Sequence, residues 1–122
     1  MSEVYFIAAE AAYHQNDEAS ALTYLNAVAT ERDPSFAGYS SSGQGLLDDI
    51  LLERRKELAF EGHRYWDLVR NDLDVTRVEL ANNYPGNVPL VLETTNFRRI
   101  LPVPQGELDA NPNIREQQNS GY

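Results

Sequence analysis

The sequence predicts a mainly α protein, in which a helical hairpin plus further helices are followed by an irregular C-terminal segment with at most a short β-hairpin. Three observations lead there. Apolar residues recur at three- and four-residue spacing as far as Asn71. Beyond Asn71 that period is lost, and Pro102, Pro104 and Pro112 punctuate the closing stretch. A chain of 122 residues has room for one domain, burying roughly two-thirds of its unfolded surface. The expected organisation is a single piece, 1–122, with a helical part at 1–70 and an irregular part at 71–122 that packs back on the helices.

The first helix is expected near 3–14, with Val4, Ile7, Ala8, Ala11 and Ala12 on one stripe. His14-Gln15-Asn16-Asp17 stops it, and either Asn16 or Asp17 can cap the next. The second helix, near 18–31, carries Ala21, Leu25 and Val28 and ends before Asp33-Pro34, where proline forbids continuation. Tyr5, Ala8, Ala9, Ala12, Ala21, Leu25 and Val28 fall on the spacing of a tetratricopeptide-like helix pair. Residues 35–45 are a loop by composition. A third helix near 46–61 buries Leu47, Ile50, Leu51, Arg54 and Leu58, and Gly62 marks its break. A short helix at 64–70 follows. Val75–Leu80 and Val88–Leu92 flank the turn-forming Asn82-Asn83-Tyr84-Pro85-Gly86 and read as short strands, whereas the final prolines predict an extended tail.

Composition excludes several functions. Nineteen acids against ten bases give a net charge of -9, which repels phosphate backbones, so no nucleic-acid partner is expected. No stretch approaches the ~20 apolar residues of a membrane span. The absence of cysteine removes disulfides, thiolate metal sites, thiol catalysis and any lipid-acceptor thiol within these residues. The opening Met1–Ala9 lacks a basic start and Glu3 interrupts it, so it reads as mature protein.

Charge is uneven along the chain. Residues 1–52 carry -7 and residues 71–122 carry -3, while residues 53–70 carry +1. In that central stretch Glu53, Glu57 and Glu61 are four apart, placing three carboxylates in one helical row. An enzyme would make two of them an acid–base pair. Arg54, Lys56, Arg64 and Arg70 instead favour an ion-pair ladder, with Arg64 three residues from both Glu61 and Asp67. His63 stands only two residues from Glu61 and His14 has no second histidine nearby, so no metal site is expected; no nucleophile elbow, phosphate loop or dinucleotide turn is present either. Tyr65 and Trp66 could form a sugar-stacking platform, but Leu68 and Val69 continue the apolar pattern and favour burial of the pair at the helix junction. No catalytic, cofactor-binding or metal-binding residue is assigned, no cofactor is expected, and ligand-binding residues are left unassigned.

From Glu53-Arg54-Arg55 through Glu57-Leu58-Ala59-Phe60-Glu61-Gly62-His63-Arg64-Tyr65-Trp66-Asp67-Leu68 to Arg70, the sequence resembles the C-terminal signature of the SusD/RagB family, outer-membrane nutrient-binding lipoproteins. The resemblance continues through Leu101-Pro102-Val103-Pro104-Gln105, Glu107–Asn113 and the terminal Gln118-Asn119-Ser120-Gly121-Tyr122, where Ser120 replaces the family's proline. Upstream, Ala9-Glu10-Ala11 and Leu25-Asn26-Ala27-Val28 resemble the family's last tetratricopeptide-like pair. The resemblance implies a non-enzymatic glycan-binding component of an outer-membrane uptake system, exposed at the cell surface and partnered by a TonB-dependent transporter of the SusC type. It implies that this chain is scaffold from the C-terminal part, with the oligosaccharide site outside it. Starch, mannan and host-type glycans are then expected not to bind saturably, and the isolated chain is expected to self-associate. The alternative reading is a stand-alone tetratricopeptide-like adaptor.

Overall fold

A computed structural model describes residues 1–78 and 89–122, and the chain forms two compact units, 1–64 and 65–122. The first contains helices α1 (Ser2–His14), α2 (Glu18–Arg32) and α3 (Gln44–Glu57). Helix α4 (Arg64–Arg70) leads into the second, which holds strands β1 (Val75–Thr76) and β2 (Val91–Leu92), a 3-10 turn at Phe97–Arg99, helix α5 (Gln105–Ala110) and a 3-10 stretch at Pro112–Gln117. The fold is mainly helical with one small two-stranded sheet, as the apolar spacing predicts.

The core of the first unit is Phe6, Ala9 and Ala12 from α1, Ala21, Leu25 and Val28 from α2, and Leu46 and Ile50 from α3. Three alanines on facing helices keep side-chain bulk low, so the Phe6 ring can be wholly enclosed. The buried face of α1 is turned from the expected stripe: Val4 and Ile7 are exposed, while Phe6, Ala9 and Glu10 are buried with Ala12. Two overlapping apolar stripes exist on α1, and only the one carrying Phe6 meets α2 and α3. Asp17, not Asn16, caps α2 by accepting a 3.1 Å bond from the Ser20 amide; Asn16 takes the left-handed turn at φ 61. Hydrogen bonding from the Ser20 side chain, then from its amide, holds the Asp17 carboxyl below its ordinary pKa.

In the loop between α2 and α3 one side chain satisfies both backbone groups of Tyr39. Asn26 donates to the Tyr39 carbonyl at 3.0 Å and accepts from the Tyr39 amide at 2.6 Å, so a single amide closes the loop as a strand neighbour would. Gly38 (φ 94) passes so close that a Cβ there would lie 3.1 Å from Asn26 Oδ1. Helix α3 ends at Glu57, four residues before the expected boundary, because Phe60 (φ 68) and Gly62 (φ 81) both adopt left-handed backbone that no continuing helix accommodates.

In the second unit Val75 pairs with Leu92 and Thr76 with Val91, antiparallel. The expected turn at Asn82–Gly86 lies outside the described residues. The expectation of a wholly extended tail is corrected: α5 and the 3-10 stretch are helical. Pro104 stands at the N-cap of α5 and Pro112 opens the 3-10 stretch, positions where a missing N–H costs nothing. The terminus then folds onto the segment before α5. Gln118 bonds both the amide and the carbonyl of Val103, at 2.8 and 3.2 Å, and Asn119 donates to the Leu101 carbonyl. Tyr122 meets Phe97 edge-on at 5.2 Å.

Two substitutions test these packings. Phe6→Ala should cost about 3–5 kcal/mol, read by denaturant melts, since the cavity it leaves is closed on three sides by helices. Gly121→Ala should lower the melting midpoint, because its φ of 99 disfavours any side chain and its Cβ would sit 2.6 Å from the Phe97 ring. An unchanged midpoint for Gly121→Ala would show that the terminal latch is not part of the cooperative unit.

Candidate functional site

The three carboxylates of the central stretch do not form one row. Glu53 accepts from the Tyr39 hydroxyl at 2.6 Å and from Lys56 at 2.5 Å. Burial, then the bond to Glu53, pushes the Tyr39 phenol above its ordinary range. Glu57 reaches across to Arg32, which grips it through Nε at 2.9 Å and through Nη2. Glu61 lies beyond the end of α3, with His63 Nε2 at 3.9 Å. The ion pairs take two forms. Lys56–Glu53 and Arg70–Asp67 are pairs along one helix, but Arg32–Glu57 and Arg54–Glu3, the latter at 3.2 Å, join residues 25 and 51 positions apart. Arg54 is buried on the stripe predicted for it and pairs with the half-exposed Glu3 carboxylate.

Hydrogen bonding from Arg32, then from Ser2, holds the Glu57 carboxyl below the usual carboxylate pKa. A general acid needs the opposite shift. Among the described residues no group of three or more His, Asp or Glu is placed to hold a metal ion.

The second unit contains a different kind of site. A cavity of about 660 Å³ opens beside α4, within the ~300–1,000 Å³ usual for small-molecule sites. Helix α4 supplies Tyr65, Trp66 and Val69; the sheet supplies Val75 and Leu92; Arg77 follows β1. The far wall is Arg98, Arg99, Ile100 and Leu101, held in place because the Tyr65 hydroxyl donates to the Arg99 carbonyl. Trp66 stands at 72° to Tyr65, with ring centroids 5.4 Å apart, and is 65% exposed. The burial expected for Trp66 is thus overturned. The residue that α4 buries from this motif is Asp67, which accepts from Arg70 at 2.8 Å, and its neighbour Leu68; the indole lies on the opposite side of so short a helix.

Arg98 lies over the Phe97 ring at 5.5 Å, and Arg77 donates to the Pro89 carbonyl at 3.1 Å. Arg99 is only 9% exposed, and its Nη1 is buried with no hydrogen-bond partner among the described residues. Among the described residues no acid lines the cavity. Sequence reasoning reached Tyr65 and Trp66 as a sugar platform and set them aside; it missed Arg77, Arg98 and Arg99 entirely. The readable signal was Arg98-Arg99 directly before Ile100-Leu101, a doubly basic, apolar tetrad in an acidic chain.

Comparison with known proteins places the chain. The SusD family model matches residues 1–122, and the protein belongs to that family. It is 34% identical, over its whole length, to SusD-like protein P25 of Formosa agariphila. A crystal structure of a Bacteroides vulgatus protein named for sugar binding superposes with a TM-score of 0.79 at 38% identity, covering 99% of this chain and 27% of that one. A SusD superfamily protein from Bacteroides thetaiotaomicron gives 0.74 at 39% identity, covering 97% and 26%. The chain spans about a quarter of the length of these relatives, 24% in the case of P25.

The Arg32–Glu57 bridge makes a pH prediction. Glu57 has a lower pKa folded than unfolded, so its contribution is present above the unfolded value and is lost as pH falls through the folded one. Wild type and Glu57→Gln should therefore differ in melting midpoint at pH 7 and converge as pH falls from about 5 toward 3. Arg32 is well exposed, so solvent screening should keep the difference small. A gap that persists undiminished at low pH would mean the carboxylate charge plays no part.

Proposed function

We propose that this chain is scaffold from the C-terminal part of a non-enzymatic glycan-binding component of an outer-membrane uptake system. In this reading the whole protein is a lipoprotein exposed at the cell surface, and its partners are an oligosaccharide and a SusC-type TonB-dependent transporter. The observation that carries it is the match of all 122 residues to the SusD family, with a solved relative named for sugar binding at 38% identity. The chemistry of the first unit agrees: Glu53 and Glu57 are engaged in ion pairs, and the carboxyls whose pKa is shifted, Asp17, Asp33 and Glu57, are all shifted away from acid catalysis. Among the described residues no helix is long and apolar enough to cross a membrane, which suits a protein held at the membrane by other means.

Starch and mannan are held by residues outside this sequence, so calorimetry of this chain should show no saturable binding of either. The partner test is affinity capture from detergent-solubilised outer membranes of the native host. The expected result is a TonB-dependent barrel retained with the tagged protein. Capture of a soluble protein in its place, with no barrel, would overturn the uptake reading in favour of an adaptor.

A further inference from the structure

We propose that the cavity beside Trp66 binds a sugar ring bearing a carboxylate, a uronic acid unit, and so gives these 122 residues a ligand site of their own. Three of the chain's ten basic residues line this one cavity, and among the described residues no acid does, in a protein of net charge -9. Such a concentration focuses positive potential into a low-dielectric pocket, where an anion is drawn against the field of the rest of the molecule. Arg99 adds a second, independent observation. It is nine-tenths buried, forms no salt bridge among the described residues, and leaves Nη1 without a hydrogen-bond partner. A buried guanidinium with an unmet donor is costly unless something anionic approaches it, and its planar fork suits a carboxylate.

The aromatic wall selects what carries the charge. Trp66 presents an exposed indole face, with Tyr65 set across it at 72°. A pyranose ring offers flat patches of C–H to such a face and hydroxyls to the polar rim. A segment of another protein would cover Ile100 and Leu101 equally well, but an apolar helix would seal Arg99 away unpaired. Nucleic acid is disfavoured by the overall charge. The choice of a sugar over another anionic ring rests on the glycan reading above; the need for an anion does not.

Calorimetry with the full chain tests the proposal, using trigalacturonate, the neutral galactotriose and inorganic sulfate as probes. The expected result is saturable binding of trigalacturonate with Kd below about 1 mM, at least tenfold weaker for galactotriose, and weakened by added salt. Trp66→Ala and Arg98→Ala should each weaken it about tenfold or more; both side chains are exposed, so circular dichroism should show the fold retained. Absence of saturation, equal binding of the neutral sugar, or an unchanged Kd in Trp66→Ala would overturn the proposal. So would sulfate competing as well as the trisaccharide, which would reduce the site to an anion hole. Barrel capture without trigalacturonate binding would defeat this inference alone, and trigalacturonate binding without barrel capture would defeat the uptake reading alone.

Discussion

Backbone outside helices and strands still has to be hydrogen-bonded, and in this chain side-chain amides and carboxylates meet that demand. Asn26 takes both polar groups of Tyr39; Gln118 takes both of Val103. Asp17, Asn96 and Asn111 cap the elements that follow them. Asp74 receives the Thr94 amide beside the small sheet. Each of these residues acts as a strand neighbour would, at one point instead of along a ladder. That explains how a protein with two two-residue strands among its described residues can order long non-helical segments. It also explains where apolar residues end up. Once Gln118 and Asn119 fix Leu101–Val103, and Tyr65 fixes the Arg99 carbonyl, Ile100 and Leu101 are left facing solvent at 61% and 77% exposure.

Charge follows a second logic. In the first unit three bases are spent on acids: Arg32 on Glu57, Arg54 on Glu3, Lys56 on Glu53. The bridges to Glu57 and Glu3 tie α3 to α2 and to α1, so the least acidic stretch of sequence ties the helices together. In the second unit Arg70 follows the same pattern with Asp67, whereas Arg98 stacks on Phe97 and Arg99 lies buried, neither with a carboxylate among the described residues. Placing a cation against apolar walls gains nothing for stability on its own, since desolvation of the guanidinium opposes it. Rules of local consistency are broken at this point, and such breaks concentrate where a protein binds something.

How much of this was legible follows from the range of each interaction. Helix positions were readable because periodicity is local: α1, α2 and α4 fall within a residue of their expected bounds. The face of α1 was not, since Val4-Ile7-Ala11 and Phe6-Ala9-Ala12 are both helical stripes and only tertiary contact chooses between them. The end of α3 depended on a left-handed Phe60, a conformation that a phenylalanine does not advertise. Proline was read as a helix breaker near the terminus when Pro104 and Pro112 are helix openers. The cross-helix bridge Arg32–Glu57 spans 25 residues and has no local signal at all. The cavity was missed for a like reason. Its aromatic wall and its basic wall are more than ten residues apart in sequence, and neither is a site alone.

The residues that carry the family resemblance turn out to hold the chain together. Arg54 is a buried ion-pair partner, Asp67 receives Arg70, and Leu101-Pro102-Val103 is the rail on which Gln118 and Asn119 dock, with Gly121 laid against Phe97. A motif of this kind identifies a fold without naming a ligand. In the cavity the two roles separate residue by residue. Tyr65 both lines the wall and anchors Arg99 through its hydroxyl, so it cannot change without moving the site. Arg98 stands outside the quoted motif, is exposed, and its side chain lies over its own Phe97 neighbour. Substituting it alters the charge presented to a ligand while the hydrogen bonds that build the pocket stay in place. Scaffold and selectivity thus rest on different side chains of the same small cavity.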